Sequence, residues 1–93
     1  MINVRIPQVI SLEIAIRLYY ERIELCNTDI ELLFGKHSGS TIAKLKKMAQ
    51  DKMVEKNIMS LNVLCVNTAA AYEAWGLNIS DLEYRYEKLK QLA

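Results

Sequence analysis

The sequence predicts an all-α fold, a small orthogonal bundle of about five helices that contains a helix-turn-helix. Three observations lead there. Apolar residues recur at intervals of three and four along most of the chain; glycines and capping residues cut those stretches to helix length; and no stretch alternates apolar and polar residues as a half-buried strand does. With 93 residues, 52 % of them apolar, and only one proline and three glycines, the chain can close one hydrophobic core, so a single domain over residues 1–93 is expected.

The first helix is expected from Ser11 to Cys26. Leu12, Ala15, Ile16, Tyr19, Ile23 and Cys26 form its stripe, and Ile10, Ile14 and Leu18 widen it, so it should be heavily buried. Pro7 favours an extended lead-in. Thr28-Asp29-Ile30-Glu31 has the spacing of a capping box, which predicts a short helix from Asp29 to Phe34, and Gly35 supplies the residue best able to close it.

Ser38 or Ser40 can cap the next helix, from Thr41 to about Asn57. Ile42, Leu45, Ala49 and Met53 line its inner face, with Met48 beside them. At about 100° per residue, Ser40, Lys44, Lys47 and Asp51 point the other way. Residues 58–66 lack a clear period and could be extended or a loop that covers the core. Asn67 or Thr68 can cap a further short helix through Trp75, closed by Gly76. A second capping box, Ser80-Asp81-Leu82-Glu83, opens the last helix, whose narrow stripe is Leu82, Tyr86, Leu89 and Ala93. Residues 67–92 thus form a C-terminal helix pair.

The longest apolar stretch, Val9 to Tyr20, is broken by Glu13 and Arg17 and is followed by no small-residue cleavage site. Neither a membrane span nor a signal peptide is expected, which suggests the cytoplasm. Cys26 and Cys65 lie far apart beside aliphatic residues and form no CxxC pair, so both are expected to be buried and reduced, without a zinc or redox role.

The formal net charge of +1 conceals a local concentration. Residues 1–35 sum to −2 and residues 58–93 to −1. Between them, Lys36, Lys44, Lys46, Lys47, Lys52 and Lys56 face only Asp51 and Glu55, a segment of +4. The basic segment opens inside FGKHSGST, residues 34–41, which raises three chemical readings. A phosphate loop requires GxxxxGK followed by Ser or Thr after a strand, whereas Gly35-Lys36 is followed by His37 after a capped helix. Catalysis lacks a recognisable constellation: His37 has no cysteine or carboxylate near it in sequence, and HExxH, GxSxG and cofactor motifs are absent. No enzyme activity, cofactor or metal is expected.

The third reading is a helix-turn-helix over residues 27–57, with a short helix, a glycine-containing turn and a basic helix whose first turns can enter the major groove of duplex DNA. Lys36, His37 and Ser38 in the turn suit phosphates, and the helix N-terminus adds its own anion affinity. TDIELLFG followed by GSTIAKLKK, about residues 27–48, resembles the helix-turn-helix of phage and mobile-element regulators and recombinases. The resemblance implies that Ser40, Thr41, Lys44 and Lys47 face DNA while Ile30, Phe34, Ile42 and Leu45 hold the motif, and it implies a transcriptional regulator or accessory protein.

The helix pair on either side of Gly76 has similar parts, but its second helix opens on Ser80, Asp81 and Glu83, whose acids would repel phosphate. It is expected to support the core or to form a homodimer contact through Leu82, Tyr86 and Leu89, with Trp75 as a core anchor. The alternative to DNA binding is an all-helical adaptor that binds protein.

Overall fold

The computed structural model describes residues 6–92. They form α1 (Leu12–Glu21), β1 (Glu24–Leu25), α2 (Asn27–Phe34), α3 (Gly39–Glu55), β2 (Val66–Asn67), α4 (Thr68–Ala74) and α5 (Ile79–Leu92). The mostly helical class and the count of five helices agree with the sequence expectation among the described residues. The small antiparallel pair of β1 and β2 is an addition to it.

That pair changes the first helix. Ser11 caps α1 by accepting from the Ile14 N–H, but the helix stops at Glu21 instead of running to Cys26. The chain then turns outward at Ile23, whose carbonyl accepts from the Thr68 N–H at 3.0 Å, and Glu24 and Leu25 pair with Asn67 and Val66. Ile23 is therefore exposed, while Leu25 is fully buried. A further helical turn would forfeit these cross-strand bonds, which explains why the stripe breaks where its period continues.

The cysteines are corrected by the same pairing. Leu25 opposes Val66, so continuing the antiparallel register sets Cys26 against Cys65, with a Cα–Cα separation of 4.3 Å and a disulfide between them. They are not a reduced pair. The bond closes a loop that contains both α2 and α3.

Both expected capping boxes sit two residues too late. At α2 the N-cap is Cys26, not Thr28, and the Asp29 carboxylate accepts from the Cys26 N–H at 3.0 Å and from the Arg22 guanidinium at 3.3 Å. Asp29 is buried, and its carboxylate, not that of Glu31, makes the cap bonds. At α5 the Asn78 side chain accepts from the Asp81 N–H at 3.0 Å, the place expected of Ser80, and Glu83 accepts instead from the Tyr20 hydroxyl at 2.8 Å. That bond to a carboxylate raises the Tyr20 phenol above its ordinary pKa.

Helix ends follow the glycine logic more closely. Gly35 has φ +85° and Gly76 φ +73°, in the region that L side chains avoid. Around Gly76 the Leu77 N–H reaches the Tyr72 carbonyl and the Gly76 N–H reaches Glu73, a Schellman closure. Asn57, with φ 58°, closes α3 in the same way, its N–H bonded to Val54 and that of Ile58 to Met53.

Helix α4 is the hub of the core. Ala70, Ala71, Tyr72 and Trp75 are all buried, and the small alanines admit neighbouring helices closely. The Tyr72 hydroxyl donates to the Ala15 carbonyl of α1, and burial, reinforced by Tyr19, pushes its phenol above the ordinary pKa. Trp75 packs edge-on against Phe34 of α2 with ring centroids 5.2 Å apart, and its indole N–H donates to the Leu45 carbonyl of α3. Trp75 is thus the core anchor expected. Helix α5 lies on α1 and inserts Leu82 into the core. Ala93, the last member of the expected α5 stripe, lies outside the described residues. No helix among the described residues is long and apolar enough to cross a membrane.

Candidate nucleic-acid interface

The segment that carried the basic charge folds as α2, a four-residue turn and α3. Ile30, Leu33 and Phe34 of α2 are buried in the same cluster as Ile42, Leu45, Ala49 and Met53 of α3, so the two helices share one core. The inner stripe of α3 is the one read from the period. On its outer side Ser40, Lys44, Lys47 and Asp51 are exposed, and Thr41 is half-buried.

The turn is tightly organised. Gly35 donates to the Glu31 carbonyl at 2.8 Å, and a Cβ added at Gly35 would stand 3.4 Å from the Ile10 side chain. His37 folds back, and its ring nitrogen Nε2 lies 3.0 Å from the Phe34 carbonyl. A carbonyl can only accept, so this nitrogen carries the proton and the imidazole caps the end of α2. His37 is thereby partly occupied as a clasp of the turn.

Ser38 is the N-cap of α3, resolving the choice between Ser38 and Ser40. Its hydroxyl accepts from the Thr41 N–H at 3.3 Å and lies 3.1 Å from the Ser40 hydroxyl and 3.0 Å from that of Thr41. Three hydroxyls therefore converge on the first turn of a 17-residue helix, at its positive dipole end.

The lysines divide by what they meet. Lys47 pairs with Asp51 at 2.7 Å, Lys52 with Glu55 at 3.3 Å, and Lys56 with Glu73 of α4. Lys46 reaches back to donate to the Leu64 carbonyl at 2.8 Å, holding the loop that follows α3. Lys36 and Lys44 make no ion pair among the described residues. The Lys47 pair is largely exposed on both sides, and such pairs contribute only about 0.3–0.5 kcal/mol, so a phosphate can readily replace Asp51 as its partner.

Beside His37, residues not read from the sequence as DNA contacts also border the site. Asn27, Glu31, His37, Gly39, Ala43 and Lys46 surround a shallow depression of about 270 Å³ between α2 and the start of α3. Glu31 places negative charge on this flank, in the depression it lines with His37 and Lys46. Its place there follows from the shifted cap, which frees Glu31 from the box expected of it.

The dimer residues expected on α5 separate. Leu82 is buried in the core, Tyr86 is half-buried, and Leu89 is exposed beside Val9 and Leu12. No cluster of three or more potential metal ligands exists among the described residues. No protein-family model, curated protein or solved structure matches the chain.

Proposed function

We propose that this protein binds duplex DNA as a small helix-turn-helix protein, with α3 in the major groove, and acts as a transcriptional regulator or accessory protein of the phage or mobile-element type. The observation that carries the reading is the face of α3 opposite its buried stripe. Ser40, Lys44 and Lys47 stand there together, with Lys44 free of any described ion pair, directly after a four-residue turn that ends on a hydroxyl cluster.

Each group has a part. Ser38, Ser40 and the first-turn N–H groups of α3 suit a backbone phosphate, where hydroxyls donate and the helix dipole favours an anion. Lys44, one turn further along, reaches a base edge or a second phosphate. Lys47 exchanges Asp51 for phosphate, and Lys36 meets the backbone from the turn. His37 positions the turn through Phe34.

The test is fluorescence anisotropy with a random duplex of about 30 base pairs, at low and then higher salt. Binding should weaken with salt, and the double substitution Lys44→Ala and Lys47→Ala should reduce the log–log salt slope by about 2. Absence of binding at low salt, or wild-type affinity in the double variant, overturns the reading. A second reading, a protein-binding adaptor, is favoured by the outward apolar side chains of the loop after α3; it predicts no salt-dependent DNA binding.

A further inference from the structure

The loop between α3 and β2 leaves several large apolar side chains in solvent. The Leu61 N–H donates to the Glu24 carboxylate of β1 at 2.7 Å, and within the loop the Leu64 N–H donates to the Asn62 side chain at 2.9 Å and the Cys65 N–H to the Asn62 carbonyl at 3.0 Å. The Ser60 hydroxyl lies 3.2 Å from Glu24, Lys46 holds the Leu64 carbonyl, and the disulfide anchors the loop at Cys65. Its apolar side chains turn to solvent: Met59 is 88 % exposed, Leu61 81 %, Val63 86 % and Leu64 68 %, and Val54 at the end of α3 is 76 % exposed.

Four exposed apolar side chains in one loop, with Val54 beside it, differ from the scattered exposed leucines of ordinary surfaces. Val54 and Val63 border one shallow depression with Gln50 and Ile58, so α3 and the loop form a continuous surface. We infer that this surface, Val54 with Met59, Leu61, Val63 and Leu64, is the contact between two copies of the chain.

Area and charge favour a second copy. Side chains of this size each carry about 100 Å² of apolar surface, so five of them exposed to this degree offer about 400 Å². A standard interface of about 800 Å² per partner, a little over half of it apolar, needs about 450 Å² from each side. The five residues carry no charge, and the apolar surface they offer is its own complement. Val54 lies about two turns beyond Lys47 on the same face of α3, and the Leu64 carbonyl accepts from Lys46, so the patch borders the basic face of α3.

The test is sedimentation equilibrium of the full chain from about 1 µM to about 1 mM, independent of any DNA measurement. The wild type should reach twice the monomer mass. Met59→Lys with Leu61→Lys should weaken the dimer at least about thirtyfold, with unchanged far-ultraviolet circular dichroism, because both side chains are solvent-exposed in the monomer. Leu89→Lys on α5 should leave the dimer intact. A wild type that stays monomeric at about 1 mM overturns the inference, as does a dimer that survives the loop substitutions or is lost with Leu89→Lys.

Discussion

The indole N–H of Trp75 donates to the main-chain carbonyl of Leu45 at 2.9 Å, so a side chain at the end of α4 is fastened to the middle of α3. The same ring meets Phe34 of α2 edge-on, and one residue therefore sets both helices of the candidate interface. Trp75→Phe, which keeps a ring but loses the donor and some volume, should destabilise by about 1–3 kcal/mol, and Trp75→Ala by about 3–5 kcal/mol. Urea unfolding measures both. Equal losses for the two would show that the ring packing contributes little.

The Cys26–Cys65 bond spans a sequence separation of 39 that includes the whole of α2 and α3. Closing a loop of that length restricts the unfolded chain by about 4 kcal/mol in the chain-entropy account. Reduction, or the double substitution to serine, should lower stability by up to that amount and shift the thermal midpoint down. Identical unfolding with and without reductant would contradict the bond.

Thr68 opens α4 with a hydroxyl that is buried and has no hydrogen-bond partner among the described residues. Burying such a group costs about 1–3 kcal/mol, and valine has nearly the same shape. Thr68→Val should therefore stabilise the protein by about 1 kcal/mol in denaturant unfolding. A loss of stability would mean that the hydroxyl has a partner in solution.

Glu73 of α4 is held by Lys56 from the end of α3, and that hydrogen bond is the main cause of a carboxyl pKa below the ordinary value. Because the folded pKa is the lower one, the contribution is present above the unfolded carboxylate pKa and is lost as the pH falls through the folded value. Lys56→Ala should return the Glu73 titration, followed by carboxyl NMR, toward the ordinary value and flatten the acid loss of stability. A Glu73 titration unmoved by Lys56→Ala would exclude the pair as its cause.

Local signals carried much of the architecture. The stripe Ile42, Leu45, Ala49 and Met53, the glycine closures at Gly35 and Gly76, and the caps narrowed to Ser38 or Ser40 and to Asn67 or Thr68 are each decided within a turn or two of chain, where spacing and backbone freedom act directly. The outward placement of Ser40, Lys44 and Lys47 follows from the same period. Partners distant in sequence left no such trace. The two-residue strands are too short to alternate, so the end of α1 at Glu21 and the meeting of Cys26 with Cys65 became visible only once β1 lay beside β2. Likewise, which lysines stay free was settled by Glu73 and the Leu64 carbonyl, groups that reach Lys56 and Lys46 through folding alone. By itself the sequence determined the number of helices and the outer face of α3, because periodicity is a property of neighbouring residues. Tertiary structure decided the disulfide, the free charges and the bonds from Glu24 and Lys46 that hold the loop after α3, because each depends on contacts made across the fold.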